Sequence, residues 1–270
     1  MHDDVPSSRG ATWLAALTRG AAAQAGFPAS VRVVDATLGG APARYLAVVP
    51  DPRNRFPRAR SGEVGLDEGW ALAQAVRETM ADDEIARKKR PIVAIVDVSS
   101  QAYGRREEAY GIHQALAGAA AAYAQARLAG HPIIGLVVGK AMSGAFLAHG
   151  YQANRLVALD DPGVQVHAMG KAAAARVTQR SVDSLERLAA DVPPMAYDIA
   201  SYASLGLLWR LLRVGDADRP DTAGVDAVRT ALLEALADIR IDRKRGLHGR
   251  LGGRNRQASA TVRDRLRAAW

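Results

Sequence analysis

Three short, continuous apolar segments constrain the fold of this chain more than any other feature. They occupy residues 92–98 (IVAIVDV), 132–138 (PIIGLVV) and 155–159 (RLVAL). Strands without polar alternation are buried on both faces, as in parallel sheets covered by helices. A long Ala-rich helical segment ending near residue 130 follows the first strand, and a shorter helix follows the second. The sequence therefore predicts an α/β fold with a mostly parallel sheet.

Shorter patterns predict the elements around this sheet. Residues 31–38 and 44–49 are β-rich and are separated by Gly39 and Gly40, which predicts a hairpin. Helices are expected from residue 66 to about 80, over 181–190 and over 224–240, and the chain after residue 170 is expected to be helical throughout. In parallel sheets ligands bind at the carboxyl ends of strands, which here are followed by the loops 99–106 and 139–145.

Composition excludes several classes of function. The chain has 270 residues, 49% of them hydrophobic, which is enough for one large buried core. It contains no cysteine, which rules out a disulfide framework, a thiolate nucleophile and a cysteine-ligated zinc. We expect no metal site, because the histidines lack metal-binding spacing. No segment has the length of apolar sequence that spans a bilayer, and residues 1–10 do not resemble a signal peptide, so we expect a cytoplasmic protein without membrane contact.

The net charge of +8 is concentrated at one end of the chain. Residues 240–270 contain ten Arg and Lys residues against two Asp, which leaves 26 basic and 26 acidic residues over positions 1–239. One interpretation is a solvated basic tail, and the other is a docking surface for an acidic carrier protein, coenzyme or subunit. Nucleic acid is not an expected partner, because the tail has no interleaved aromatic residues or recognition motif.

The segment 139–146 (GKAMSGAF) joins a predicted strand to a predicted helix through small residues. The backbone N–H groups of Gly144 and Ala145 would lie at the helix N-terminus, where they suit an anionic oxygen. The alternative is that small residues only permit close packing. The segment lacks the residues of a phosphate-binding loop and matches the Gly-x-Ser-x-Gly elbow only in having small residues. A hydrolase with Ser143 as nucleophile and His149 or His167 as base remains a second hypothesis.

A second candidate segment follows the first apolar strand. Residues 97–108 (DVSSQAYGRREE) place a polar, glycine-containing loop before the long helix. Backbone amides at Tyr103 and Gly104 are candidates for a second anion-binding pair in the same crevice. The alternative is helix capping, in which Gly104 forms the turn and the following glutamates stabilise the first helical turn.

Several separate stretches, in the same order, resemble the malonate decarboxylase gamma subunit, a family in the carboxyltransferase branch of the crotonase superfamily. The stretches are 54–60 (NRFPRAR), 62–66 (GEVGL), 100–108 (SQAYGRREE), 139–146 (GKAMSGAF), 148–154 (AHGYQAN), 161–171 (DPGVQVHAMGK), 193–198 (PPMAYD) and 201–206 (SYASLG). The resemblance covers residues 31–212. It implies a crotonase-like fold of repeated ββα units. We expect an N-terminal extension over 1–30, the decarboxylase domain over 31–240 and a basic tail over 241–270, of which residues 1–30 and those after about 213 lie outside the resemblance.

The resemblance also implies an activity and a set of partners. The chain would act with a homologous beta subunit, as an obligate heteromer, to decarboxylate a malonyl thioester to an acetyl thioester. An acyl carrier protein subunit would present the thioester on a phosphopantetheine-type group, and a transferase subunit would complete the complex. No cofactor would be bound directly. A structural subunit without chemistry is the alternative within this complex.

Site roles follow from the same resemblance. The amides of Gly144 and Ala145, and those of Tyr103 and Gly104, would stabilise negative charge, while Ser143 shapes the turn. Residues expected to contact substrate are Gln101 as a side-chain donor, Lys140 as an attracting cation, Met142, and His167 as a proton donor. Whether the amides hold the thioester oxygen or the departing carboxylate stays open at this stage.

Overall fold

A seven-stranded sheet lies at the centre of the computed structural model, which describes residues 8–242 and 246–270. The strands are β1 (Val31–Leu38), β2 (Ala41–Val48), β3 (Ile92–Val98), β4 (Ile133–Met142), β5 (Arg155–Leu159), β6 (Gln165–His167) and β7 (Arg210–Leu212). The helices are α1 (Arg9–Thr18), α2 (Leu66–Ile85), α3 (Arg105–Ala109), α4 (Ile112–Leu128), α5 (Ser143–Ala148), α6 (Lys171–Thr178), α7 (Val182–Asp191), α8 (Ile199–Ser204), α9 (Thr222–Ile241) and α10 (Gln257–Ala269).

The order across the sheet is β1-β2-β3-β4-β5-β7, and β6 pairs with the distal end of β4. Only β1 and β2 are antiparallel, and every other pair is parallel. The predicted hairpin is confirmed, because Gly39 and Gly40 both adopt positive φ (61° and 78°), as a tight two-residue hairpin turn requires. The three apolar segments form β3, β4 and β5, whose interiors are almost wholly buried, so the predicted parallel sheet is also confirmed.

One part of the predicted secondary structure was wrong. The chain after residue 170 is not entirely helical, because Arg210–Leu212 forms β7 against β5. The three half-buried residues of β7 are too few to show the periodicity of a strand. Their extended conformation comes from pairing with the edge of β5. The long Ala-rich helix predicted to end near residue 130 is confirmed as α4, which Gly111, with φ 81°, precedes as the N-cap; the short helix α3 lies before it.

Helices cover both faces of the sheet. On one face α2 packs against α4, where a Cβ on Gly69 would lie 2.8 Å from the backbone of Ala115, so glycine allows the two helices to approach closely. On the other face α1 packs against β2, β3, β4 and α9. The proposed boundary at residue 30 stays a prediction, although α1 lies before it and belongs to the main core. None of the helices in the two described ranges is both long and apolar enough to cross a membrane.

Polar contacts hold α1 against the carboxyl end of the sheet. The Arg9 guanidinium binds Asp161 (2.6 Å) and Asp218 (2.6 Å), and these contacts raise the pKa of Arg9 against the opposing effect of its partial burial. Trp13 is fully buried and donates its indole N–H to the carbonyl of Ala217 at 2.9 Å. These contacts hold α1 against the sheet, next to the end of β4.

The burial of Trp13 gives a first prediction. Trp13→Ala should lower the free energy of unfolding by about 3–5 kcal/mol, because it leaves a cavity and an unpaired carbonyl. Chemical denaturation measures this change. Leu128→Ala serves as the control, since Leu128 is 78% exposed and its loss should change stability by less than about 0.5 kcal/mol. Equal effects of the two substitutions would contradict the assignment of α1 to the core.

Candidate active site

The candidate site begins where β4 turns into α5. Met142 ends the strand in an extended conformation, and Ser143 then adopts the left-handed region with φ 60°. A non-glycine residue in this region is strained by about 1–3 kcal/mol, and such strain occurs often at functional sites. The turn leaves Ser143 and Gly144 half-exposed, while Ala145 is fully buried. The predicted strand–turn–helix is therefore present, with a sharper turn than the sequence indicates.

The helix dipole contributes less to this turn than the sequence analysis expected. α5 has only six residues, so few peptide dipoles add along its axis. What the turn offers is individual amides, because the first N–H groups of a helix have no acceptor within it. Gly144 and Ala145 occupy the second and third positions of α5.

The polar loop after β3 and the turn between β4 and α5 bring Gln101 and Gly144 into contact. The Gly144 N–H donates to the Gln101 side-chain oxygen, Oε1, at 3.1 Å. A Cβ on Gly144 would lie 2.1 Å from that oxygen, so only glycine permits the contact. The expected role of Gln101 as a side-chain donor to substrate concerns its NH₂ group and stays a prediction; in the described chain its oxygen is an acceptor. That oxygen marks a position in which the Gly144 amide binds oxygen.

The position of Gln101 depends on a buried carboxylate. Val64 forms a parallel bridge with Gln101 and accepts a hydrogen bond from the amide of Ala102 at 2.9 Å. The next residue, Gly65, donates its N–H to Glu68 Oε2 at 2.9 Å. Glu68 is fully buried and also accepts hydrogen bonds from the side chains of Ser30 and Asn54, while burial raises the pKa of its carboxyl. This network fixes the loop that carries Gln101.

Asp97 is a positioning residue that sequence reasoning did not identify. Its carboxylate accepts the backbone N–H groups of Gly10 and Lys140, both at 3.1 Å, and so joins α1 to the distal part of β4. A Cβ on Gly139 would lie 2.1 Å from Asp97 Oδ1, which explains the glycine there. The available signal was an acidic residue within an otherwise apolar strand.

Other expected site residues lie outside this contact. The N–H of Tyr103 donates to the carbonyl of Gln101 at 2.9 Å, and the Tyr103 side chain is 52% exposed. Gly104 is the N-cap that precedes α3, and a Cβ there would lie 2.5 Å from Arg58 Nε. Lys140 is exposed and does not line the cleft beside Ser143. The Tyr103 amide is therefore already occupied, and an anion-binding role for Tyr103 would require its turn to open.

A cleft of about 380 Å³ lies beside the turn. Ser143, Gly144 and His167 line it together with apolar and aromatic side chains from Phe146 to Leu207. The parallel pairing of β6 with β4 sets Met142 directly opposite His167. Met142 itself is buried, at 5% exposure, and does not line the cleft. The predicted residues Ser143, Gly144 and His167 therefore share one cleft.

His167 is held by its neighbours at one ring nitrogen. Its Nδ1 lies 3.0 Å from the carbonyl of Met169, and its ring stacks on Tyr197 at 3.9 Å between centroids. Burial lowers the pKa of His167, and the hydrogen bond to Met169 only partly offsets this effect. Burial therefore favours the neutral form of the His167 ring, and the protonated form gains as the pH falls.

His149 is excluded as the general base of the serine-hydrolase hypothesis. His149 is fully buried, with Nδ1 3.0 Å from the Tyr123 hydroxyl and Nε2 2.8 Å from the carbonyl of Ile95. Burial lowers the pKa of His149 to about 4, and both ring nitrogens are occupied. His149 thus cannot take a proton from Ser143. His167 has a backbone carbonyl at Nδ1 where a triad would have a carboxylate.

The site offers amides and an imidazole but no set of metal ligands. Over residues 8–242 and 246–270, no three His, Cys, Asp or Glu side chains are placed to hold a metal ion. The chemistry available is stabilisation of a negative charge by backbone donors in a partly apolar cleft.

Comparison with solved structures defines the class of fold. The transcarboxylase 12S structure with methylmalonyl-coenzyme A and methylmalonic acid bound superposes with a TM-score of 0.64 at 20% identity, covering 86% of this chain and 42% of that one. The chain has the crotonase-like fold of carboxyltransferases, as the sequence predicted.

The particular family is also clear. The profile of the malonate decarboxylase gamma subunit matches residues 59–270, and this chain belongs to that family. It is 68% identical to a chain of a Pseudomonas malonate decarboxylase hetero-tetramer in complex with coenzyme A, with a TM-score of 0.94 over 98% of this chain and 100% of that chain. A Pseudomonas malonate decarboxylase MdcD-MdcE hetero-dimer matches at 66% identity and a TM-score of 0.90, covering 97% and 99%.

A curated relative is more distant. The malonyl-S-ACP:biotin-protein carboxyltransferase MADD of Malonomonas rubra is 34% identical over 201 residues, which are 73% of this chain. The match spans 65% of the length of that relative. The family resemblance found in the sequence is thus confirmed.

Gly144 provides the sharpest test of the site. Gly144→Val should reduce turnover of a malonyl thioester by the complete complex at least about 100-fold, because its side chain would enter the space beside the amide and displace Gln101. Initial rates, melting temperature and complex assembly are measured on one preparation.

Gly170→Val is the matched control, since Gly170 has negative φ and open space around the position of a Cβ. A Gly144→Val complex that assembles and turns over at a near-normal rate would exclude the oxyanion role. Loss of folding or assembly would instead indicate a packing role.

Ser143 distinguishes decarboxylase from hydrolase. If Ser143 only shapes the turn, Ser143→Ala should keep most of the activity, and the unmodified protein should resist a fluorophosphonate probe. Mass spectrometry of the treated protein measures labelling. Stoichiometric modification of Ser143 would favour a nucleophilic serine.

Proposed function

We propose that this chain is the gamma subunit of a malonate decarboxylase, a carboxy-lyase that converts a malonyl thioester on an acyl carrier protein to the acetyl thioester. The observation that carries this proposal is the Gly144 amide, which donates to the Gln101 side-chain oxygen and lies at the edge of a cleft at the carboxyl end of a carboxyltransferase-type sheet. Membership of the family and the MdcD-MdcE hetero-dimer of the Pseudomonas relative support it.

The reaction needs a site for a developing anion. When the bond between the α-carbon and the carboxylate breaks, its electron pair forms an enolate and carbon dioxide leaves. Negative charge then accumulates on the thioester oxygen, and a proton added to the α-carbon gives the acetyl group. Each backbone donor directed at such an oxygen typically accelerates the reaction about 100- to 1000-fold.

The residues take roles that fit their positions. In our proposal an anionic oxygen of the substrate replaces Gln101 Oε1 on the Gly144 amide, with Ala145 as the neighbouring donor. The Gln101 side chain then rotates so that its NH₂ group donates to the same oxygen. His167 faces the cleft and supplies the proton in its protonated form. Because burial lowers the pKa of His167, this contribution should decline as the pH rises through that lowered value.

The remaining predicted residues have weaker support. Gly104 with Tyr103 would form a second donor pair only after the Tyr103 turn opens. Lys140 would attract the anionic substrate from outside the cleft, and Met142 would shape its wall. We propose that the thioester is presented on a phosphopantetheine-type group, that this chain holds no cofactor of its own, and that a transferase subunit completes the assembly.

Dependence on the partner tests the proposal directly. The isolated chain should not decarboxylate a malonyl thioester at the rate of the complex, whereas the chain co-purified with its beta subunit should release carbon dioxide and acetyl thioester. Product formation is followed by mass spectrometry. Full activity of the isolated chain would refute the heteromer. A structural role without chemistry would be indicated if replacements across residues 139–145 left the activity of the complex intact.

A further inference from the structure

The helix α10 exposes a row of large apolar side chains. Val262 and Leu266 lie four residues apart on one side of the helix, and Trp270, the C-cap whose N–H donates to the carbonyl of Leu266, follows at the same interval. They are 57%, 55% and 103% exposed. Arg265 and Arg267 are exposed beside this row. We call these five residues the α10 face.

α10 has little support from the rest of the described chain. None of its residues is buried. Hydrogen bonds from Arg256 to the carbonyl of Arg250 (2.7 Å) and from Arg263 to the carbonyl of Leu251 hold its first half. Isolated helices of 12–15 residues are marginal in water, and this helix has 13. A partner that covers the α10 face would stabilise it.

The charge of this region specifies the chemistry of that partner. Residues 246–270 contain six Arg and one Asp, whereas positions 1–239 are balanced. Within residues 8–242 and 246–270, the one ion pair of Arg267 is an exposed i,i+3 pair with Asp264 at 3.5 Å, which neutralises little. A surface that combines apolar anchors with unneutralised arginines fits an acidic protein surface.

The base of α10 lies against the wall of the candidate active site. A Cβ on Gly206 would lie 1.7 Å from the carbonyl oxygen of Gly252, so the chain before α10 packs backbone to backbone on this wall. Asn255 also donates to the Ser204 hydroxyl at 2.8 Å. Leu205 and Leu207, on either side of Gly206, line the cleft that contains Ser143. A protein bound to the α10 face would therefore be held beside this cleft.

We propose that the α10 face binds the acidic carrier protein that presents the malonyl thioester to the site. This inference rests on the proposed function and adds a docking surface to it. Charge complementarity attracts the carrier, the apolar row anchors it, and the contact between residues 252–253 and 205–206 places it near the cleft. The beta subunit is the competing occupant, and the experiment separates the two.

The experiment compares two substrates in the assembled complex. The gamma and beta subunits are co-purified, and steady-state rates are measured with malonyl-acyl carrier protein and with malonyl-coenzyme A. The variants are Arg265→Glu with Arg267→Glu, and Val262→Ser with Leu266→Ser. We expect each double variant to raise KM for the carrier-bound substrate at least about tenfold, with kcat and the kinetics of malonyl-coenzyme A unchanged.

A matched double variant controls for net charge. Arg32→Glu with Arg77→Glu makes the same change at exposed positions on β1 and α2, and it should leave both KM values unchanged. Melting temperatures should match for all variants, because no altered side chain is buried.

Three outcomes would overturn the docking proposal. They are unchanged KM for the carrier-bound substrate, an equal rise for both substrates, and loss of the beta subunit on purification, which would show that α10 binds that subunit. A wild-type complex that turns over neither substrate would refute the proposed function itself. Turnover of both substrates with unaltered kinetics in the α10 variants would refute only the proposed docking surface and would leave the proposed function standing.

Discussion

The carboxylate of Asp97 is the contact on which the site most depends. It lies where β3 and β4 lose their regular register, between Val96 and Val98, and it accepts the amides of Gly10 and Lys140 there. The strands pair again at Val98 and Ala141, so the extra residues of β4 at this register shift have no partner on β3, and Asp97 accepts the amide of Lys140 there. Because Asp97 supplies the acceptor, β4 continues in extended form to Met142 and delivers Ser143 to the edge of the sheet. The turn after β4, the cleft and the docked position of α1 follow from this register shift.

The main elements could be predicted because each has a strong local cause. The apolar runs of β3, β4 and β5 permit only strands buried on both faces, and Gly39-Gly40 permits a tight hairpin turn. The part that could not be predicted lacks such causes. Arg210–Leu212 is a strand because the edge of β5 offers unpaired backbone groups, and nothing in its three residues encodes that neighbour. The left-handed Ser143 is likewise imposed by the packing of β4 and α5.

The sequence predicted which segments form the candidate site, but it did not predict which residues of those segments contact each other. Small residues over 139–146 and the polar loop before α3 indicated two backbone segments near one crevice, and the family resemblance supported both. The pairing of Gln101 with Gly144 spans 43 residues and was not visible in either segment. The side-chain oxygen of Gln101 occupies the amide because Val64 and Glu68, from a third segment, fix its loop. The geometry of the candidate site thus depends on long-range contacts that local patterns do not encode.

The Arg9 contacts have a consequence for the order of folding. The guanidinium of Arg9 pairs with Asp161, which is 152 positions further along the chain, and with Asp218, which is 209 positions further. These ion pairs therefore close some of the longest loops in the chain. Loop closure costs entropy that grows with length, and contacts of large sequence separation form late. The sheet from β2 to β5 can therefore assemble before α1 docks on it. Amide hydrogens of α1 should then exchange with solvent through a local opening that leaves the sheet protected. Such an opening would also release the Gly10 amide from Asp97 and loosen the end of β4, which couples the most distant segment of the fold to the rigidity of the candidate site.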